Sequence, residues 1–448
     1  MTVGPRIDAI GNVLVVGLGG SGRAAIELID RFGGRCRATD DRSGAASDNL
    51  PESCTVVSIE DALRAFGDVT GVVTSPGIAI DHPVLVGAVA AGLPVLGEPA
   101  FAAQYITAPL LAVTGTNGKS TTVSVLGAIL KAAGLHCFVG GNLGRPLCEA
   151  AGRSWDAVVV EISSFQLEWP GELHPNITAL LNLSPDHLDR HGDMENYGRT
   201  KLALVDYMTS EDWLVLPRSE SWWQDQLDPD HRVRITTFGV GEADSSFRGL
   251  SALPSHRCLR AEDGWQVELP SAWPANSFDW DNVSAAAEMA RRFGVSAAAI
   301  REGVEAFEPL PHRLALVATH RGIQFWNDSK ATNVGAALRS LEAFGQPVIL
   351  LAGGVAKGAE FGALAGAERV KRVIAYGEAA SAIAEALEAA DTPVVVRPDL
   401  RAAFDEAVGT AAQGDVVLLA PACASFDEFA SYAERGRVFE AMVETFGD

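Results

Sequence analysis

Short apolar, β-branched runs alternate with Ala-rich helical stretches along almost the whole chain. Strands that alternate with helices in this way predict parallel α/β sheets. Three blocks stand out. The first runs from Val13 to about Ile106, with strand VLVVG, a Gly turn, a helix and strand VVTSPG near Thr74. The second opens with strand LLAVTG (110–115) and another Gly turn into a helix predicted over Thr122–Ala133, followed by strands near Trp155–Ile162 and Ile177–Leu183. The third follows the Pro-bearing segment EPLPHR (308–313) and cycles strand and helix to the end, through VILLAGG (348–354) and VVLLAP (416–421). Residues 308–312 suit a hinge or linker. The stretch from about 218 to 280 is rich in Trp, Pro and Asp and reads as loops and short strands. The first and third blocks look like separate Rossmann-like units.

At 448 residues the chain is too long for one hydrophobic core, and three domains are the central expectation. Its longest apolar runs fall far short of the ~20 residues that span a bilayer, and the first of them reads as a buried strand, not a signal peptide. Six scattered cysteines, with no C-x-x-C, suit free thiols in a reducing cytoplasm. A net charge of −22 argues against nucleic-acid or anionic-membrane partners, which such a surface repels. An anionic small molecule held by local basic residues stays compatible with it.

Gly115-Thr-Asn-Gly-Lys-Ser-Thr121 follows an apolar strand and opens a helix. A Gly-rich turn at a helix N-terminus converges backbone N–H groups on phosphate oxygens. Lys119 can reach the β/γ-phosphates, and Ser120 or Thr121 can give a hydroxyl to Mg²⁺. The spacing is shorter than the usual P-loop, with Val113 where the first Gly would fall. A second loop, Gly17-Leu-Gly-Gly-Ser-Gly22, precedes Asp40 and Asp41 by about twenty residues. It suits a dinucleotide or a UDP-sugar equally, since any phosphate-bearing nucleotide can use the turn. Glu161 ends a buried run, where a carboxylate either holds Mg²⁺ or faces solvent. His187 stands at a strand's C-terminal end, as a ligand or as a structural histidine. Lys201, in a helix predicted over Asn196–Met208, reads locally as an ordinary surface charge.

Nine segments occur in one order: GTNGKSTT, GGNLGRP (140–146), EISSFQLE (161–168), SPDHLDRHG (184–192), YGRTK (197–201), LPHR (310–313), NDSKATN (327–333), AGG-x-x-KG (352–358) and APACASFDEF (420–429). That string resembles the Mur ligases over about residues 13–440. SSFQLE, NDSKATN and PACASFDEF point to the branch that adds D-glutamate to UDP-N-acetylmuramoyl-L-alanine in peptidoglycan precursor synthesis. The resemblance implies an α/β protein of three domains. These are a Rossmann-like UDP-substrate domain (1–107), a central P-loop-type ATP-binding domain with a mostly parallel sheet (108–310) and a Rossmann-like amino-acid domain (311–448). It implies a cytoplasmic, monomeric ATP-dependent ligase that forms an acyl phosphate, using ATP and two Mg²⁺ ions.

By position, the resemblance assigns the residues as follows. Gly115, Thr116, Asn117, Gly118, Lys119, Ser120 and Thr121 would bind ATP, with Asn282 and Arg313 on the nucleotide and Asp328 at its ribose. Ser120 and Glu161 would hold one Mg²⁺. His187 and a carbamylated Lys201 would hold the second, carbamylation being the way a lysine there becomes an anionic ligand. Asp40, Arg42, Ser75 and Gly77 match the uridine-nucleotide site, and Asn142 a substrate contact. Lys330, Thr332, Lys357, Ser425 and Tyr432 match the glutamate site, where two lysines suit a dicarboxylate. Four departures accompany the match. Asp279 replaces an amide in Phe278-Asp-Trp-Asp-Asn282, and Gly353-Gly-Val-Ala-Lys-Gly358 lacks an Asp. Asp41 stands for a Thr, and Tyr432 for a Phe. Three rivals fit less well: another ligase of the family, where a folylpolyglutamate synthase has no uridine-nucleotide domain and the later Mur ligases are longer with different C-terminal motifs; an NAD-linked oxidoreductase, which leaves GTNGKST unexplained; and a non-catalytic nucleotide-binding regulator, against which the presence of Glu161, His187 and Lys201 argues.

Overall fold

The computed structural model describes residues 6–41, 49–142, 144–242, 248–269, 277–367, 369–390 and 392–447, the side chains of 277–279 excepted. It contains three sheets. Strands β1 (Asn12–Val16), β2 (Arg35–Thr39), β3 (Cys54–Val56), β4 (Gly71–Thr74) and β5 (Val95–Gly97) form the first. Their order is β3-β2-β1-β4-β5, parallel throughout, so the chain reverses its winding between β1 and β4. Ligands gather at that switch point, at the carboxyl ends of the strands.

The second sheet has nine strands. They are β6 (Leu110–Thr114), β7 (Cys137–Gly141), β8 (Ala157–Glu161), β9 (Ile177–Leu180), β10 (Trp213–Pro217), β11 (Arg234–Val240), β12 (Gly249–Leu253), β13 (Cys258–Ala261) and β14 (Gln266–Glu268). The order is β14-β13-β12-β11-β10-β9-β6-β8-β7, with β13 and β14 antiparallel. Among the described residues of 218–280 the expected short strands are present. Four strands there extend the central sheet, because Phe238, Leu250, Leu259 and Val267 bury one face of it against the core. Strand β6 lies between β8 and β9, all three parallel and almost wholly apolar, as strands covered on both faces must be.

Strands β15 (Ala315–His320), β16 (Ile323–Asn327), β17 (Val348–Gly353), β18 (Val370–Tyr376), β19 (Val394–Arg397) and β20 (Val416–Leu419) form the third sheet, in order β15-β16-β20-β17-β18-β19. Only β15 runs antiparallel. The chain folds as two compact units, one of residues 1–183, 198–275 and 279–307, the other of 184–197, 276–278 and 308–448. The first two sheets belong to the first unit and the third sheet to the second. Among the described residues no helix is long and apolar enough to cross a membrane.

One buried carboxylate ties the first sheet to the second. Glu98, directly after β5 and without solvent exposure, accepts a hydrogen bond from the Cys148 N–H at 2.7 Å. Its other oxygen, Oε2, is buried with no partner. Burial pushes the carboxyl up to about 7, against the opposing pull of the Cys148 and Leu147 N–H groups. A folded value above the unfolded one means that protonation stabilises the fold. Stability from this group is full below the ordinary 4.5 and is lost as pH rises through about 7. The gap corresponds to about 3 kcal/mol. Glu98→Gln should therefore gain on the parent by up to about that amount between pH 5 and pH 8. Urea unfolding of both proteins at the two pH values measures it, and a pH-independent difference would contradict the assignment.

Candidate active site

The phosphate loop follows from the local sequence. Strand β6 ends at Thr114, Gly115 and Gly118 adopt φ of 140° and 86°, and the helix starts at Lys119, running to Ala132. The expected start at Thr122 is three residues late, because left-handed Gly118 lets the chain turn straight into helical geometry. Lys119, Ser120 and Thr121 thus sit in the first helical turn, where unpaired N–H groups and the helix dipole favour an anion. Thr116 and Gly118 flank Asn117, whose N–H donates to the Asn182 Oδ1 at 2.9 Å, while the Asn182 Nδ2 donates to the Asn117 carbonyl at 3.1 Å. Sequence reasoning assigned Asn182 no part. Its signal was an Asn in the strand-end segment LLNLS.

Asn282 closes the other side of the loop. Its Oδ1 accepts from the Thr122 hydroxyl at 3.3 Å, and a Cβ on Gly118 would lie 2.1 Å from it. The residue assigned to the nucleotide therefore also shapes the loop that would cradle the phosphates.

Two lysines converge on one carbonyl. Lys119 Nζ donates to the Gly115 and Thr116 oxygens at 2.8 and 2.7 Å, and Lys201 Nζ donates to the same Gly115 oxygen at 3.0 Å. Lys201 is 1% exposed, so the local reading of a surface charge is corrected. Its helix, Met194–Leu202, ends six residues before the predicted Met208. Beyond it the chain turns, burying Leu204 and Val205.

Glu161 ends β8 opposite Val113 of β6 and is 2% exposed. Asn142 Nδ2 donates to its Oε1 at 2.7 Å, while Oε2 is buried without a partner. The solvent-facing alternative is thus excluded. An orphaned carboxylate oxygen at the tip of the strand beside β6 fits a hard cation. No group of three His, Cys, Asp or Glu among the described residues could hold a metal. A site of one carboxylate and one hydroxyl still fits Mg²⁺, which keeps several waters and phosphate oxygens as ligands.

In the first sheet, Asp40 accepts from the Leu18 N–H at 2.6 Å and Ser75 donates to the Gly17 carbonyl at 3.2 Å. Both side chains brace the Gly17–Gly22 turn. Gly22 is obligatory there, since a Cβ would lie 1.8 Å from the Gly17 oxygen. Asp41 pairs with His82 at 2.9 Å, and Gly77 lies exposed after β4. Arg42 lies outside the described residues, as does the Asp279 side chain.

The second unit carries the remaining residues. His187, left-handed at φ 55°, begins the turn Leu188–His191. Its neighbour Asp186, which sequence reasoning passed over, lies 3.6 Å from the imidazole, accepts from Lys357 at 3.1 Å and from Asn333 at 2.9 Å. Burial alone would raise the Asp186 carboxyl. The Lys357 and His187 charges and these hydrogen bonds outweigh it and hold the group below the usual carboxylate range. Asp328 is different: burial pushes its carboxyl up, against Ser340, Arg313 and the Leu314 N–H. Lys330 stands 4.0 Å over the Tyr432 ring, so the aromatic substitution leaves a cation–π contact in place. Thr332 follows Lys330 in the turn after β16, and Ser425 is buried in the turn after β20.

The fold defines an α/β protein of three mostly parallel sheets. Residues 11–97 match the Mur ligase MurD-like N-terminal domain, residues 113–272 the Mur ligase middle domain, and residues 312–423 the Mur ligase glutamate ligase domain. The UDP-N-acetylmuramoylalanine–D-glutamate ligase of Acidobacterium capsulatum is 40% identical over 96% of this chain and 95% of its own. The ligase of the same name from Koribacter versatilis is 36% identical, covering 97% and 98%. Among solved structures, a pseudomurein peptide ligase type C from Methanothermus fervidus superposes with a TM-score of 0.62, covering 97% of this chain and all of that one, at 15% identity. The chain belongs to the Mur ligase family.

The Gly118–Asn282 contact is open to test. Gly118→Ala should weaken ATP affinity about tenfold or more, since it adds left-handed strain to a clash. Adding Asn282→Ala should recover part of the loss if the clash dominates. Calorimetric titration of both variants separates the two causes, and an unchanged affinity in the single variant would remove the contact from the account.

Proposed function

We propose that this chain couples D-glutamate to UDP-N-acetylmuramoyl-L-alanine at the expense of ATP, in peptidoglycan precursor synthesis. The observation that carries the reading is identity of 36–40% along the whole length of two ligases bearing that name, all three modules included. A carboxylate is a poor acyl donor at neutral pH, so activation by phosphoryl transfer to an acyl phosphate precedes attack by the glutamate amine. That attack passes through a tetrahedral intermediate and releases phosphate.

The residues suit these steps. Backbone N–H groups of Gly118–Ser120 and the dipole of the following helix hold the phosphates, and Lys119 exchanges its loop carbonyls for phosphate oxygens. Glu161 and Ser120 would hold a Mg²⁺ ion, which neutralises charge developing on the transferred group. Asn142, fixed by Glu161, would orient the substrate, whose uridine nucleotide would lie along Asp40, Arg42, Ser75 and Gly77. Asn282, Arg313 and Asp328 would complete the ATP site. Lys330, Thr332, Lys357, Ser425 and Tyr432 would take the glutamate, the two lysines answering its two carboxylates.

A second ion on His187 and a carbamylated Lys201 belongs to the same reading. Two ammonium groups on the Gly115 oxygen repel each other, and conversion of the buried Lys201 to a carbamate removes that repulsion. The carbamate keeps an N–H for the Gly115 carbonyl. Six free cysteines suit a reducing cytoplasm, and every assigned residue comes from one chain, so a monomer suffices.

Phosphate release by the purified protein with Mg-ATP and UDP-N-acetylmuramoyl-L-alanine should rise on adding D-glutamate and not L-glutamate. Release driven by L-glutamate, or by neither, would overturn the choice of acceptor. Lys201→Ala should lose about 100-fold or more in turnover. Bicarbonate should not restore it, whereas short carboxylates should do so in part. Full activity in the plain variant would remove the carbamate.

A further inference from the structure

Arg435 has no exposure to solvent and no carboxylate within ion-pair distance among the described residues. Its guanidinium is held by neutral oxygens alone. Nε donates to the Ser329 hydroxyl at 3.0 Å, Nη2 to the Ser329 carbonyl at 2.9 Å and to the Cys423 carbonyl at 3.1 Å, and Nη1 to the Gly353 carbonyl at 3.4 Å. The Ser329 hydroxyl in turn donates to the Tyr432 carbonyl at 2.7 Å. Taking a cation out of water without an anion costs several kcal/mol, so a fold that keeps one uses it.

The acceptors show what the use is. Ser329 lies in the turn after β16, beside Lys330 and Thr332. Gly353 ends β17 and leads into Lys357. Cys423 lies two residues before Ser425 in the turn after β20. A backbone bridge between Val355 and Ala424 joins the last two turns, and Arg435 joins both of them to the first. We propose that Arg435 is the positioning residue of the amino-acid pocket: one guanidinium on the C-terminal helix clips together the three turns bearing Lys330, Thr332, Lys357 and Ser425, and through Ser329 fixes Tyr432. A planar fork with five N–H groups reaches three separate backbones, which the single ammonium point of a lysine cannot. Carbonyl partners leave the guanidinium without a direct ion pair, although Glu428 feels its charge, so it adds to the field that draws a dicarboxylate.

This inference rests on the reading of these turns as the glutamate site, and the test separates the two. Arg435→Lys keeps charge without the fork, Arg435→Met keeps neither, and Ser329→Ala removes the Nε acceptor and the brace on Tyr432. Both Arg435 variants should raise the KM for D-glutamate about tenfold or more, and Ser329→Ala about threefold, on the scale of lost charge-assisted hydrogen bonds. The KM for the UDP-linked substrate, whose residues lie in the other compact unit, should stay within about twofold. Amide hydrogen exchange should quicken together in 329–332, 353–358 and 421–426. A folded Arg435→Met enzyme with unchanged D-glutamate KM would overturn the proposal. If neither Arg435 variant folds, an unchanged KM in Ser329→Ala would do the same. A parent enzyme indifferent to D-glutamate overturns the functional reading instead, and the exchange data then judge the clip: quickening in one turn alone sinks it.

Discussion

The glycine turn between β6 and the helix from Lys119 is the most closely constrained piece of the first unit's central sheet. Gly115 and Gly118 are the conformational requirement, but a turn of glycines is not rigid. Rigidity comes from outside it. The Asn182 amide grips the backbone of Asn117 from both sides, Asn282 packs where a Cβ on Gly118 would be, and Lys119 and Lys201 hold the Gly115 carbonyl. Each support arrives from a different element, so the loop is as well defined as the sheet beneath it. On the proposed reading of this turn as the phosphate site, its dipoles would be aimed before a nucleotide binds, which is where electrostatic catalysis gains most.

The pieces that bear chemistry were readable because each sits in a run with its own local signature. Apolar strands ending in Gly turns located the phosphate loop, Glu161 and the turns of the third sheet, and the ordered motifs assigned residues to them. The supports were not readable. Asn182 acts on a residue 65 positions away and Asp186 on one 171 positions away. Nothing in the local pattern of either segment says which neighbour the fold will supply. Lys201 is the clearest case. Its helix reads as solvated, with polar residues on most faces, and only the tertiary fold brings its amine onto the Gly115 carbonyl and buries it. That the short strands over 218–280 join the central sheet was hidden for a related reason. They are short, and their burial depends on lying beside β10, so tertiary pairing rather than local propensity makes them strands.

The charge of the chain and the charge of its sites run opposite ways, and the hydrogen-bond partners explain how. An acidic surface of net −22 must still admit three anionic substrates. Lys119 and Arg435 donate to backbone carbonyls, which fix a cation's position. Carboxylate partners would position such cations equally well and cancel them. Lys357 shows the other solution. Its pairing with Asp186 parks it within the second unit, and Asn333 steadies the same carboxylate. On the proposed assignment of Lys357 to the glutamate, a dicarboxylate would have to share it with Asp186. Since the pair is half-buried, its strength is only weakly screened by salt. Arg435, with no acid in direct ion-pair contact, would be the constant part of the field in the proposed pocket, and Lys357 the adjustable part.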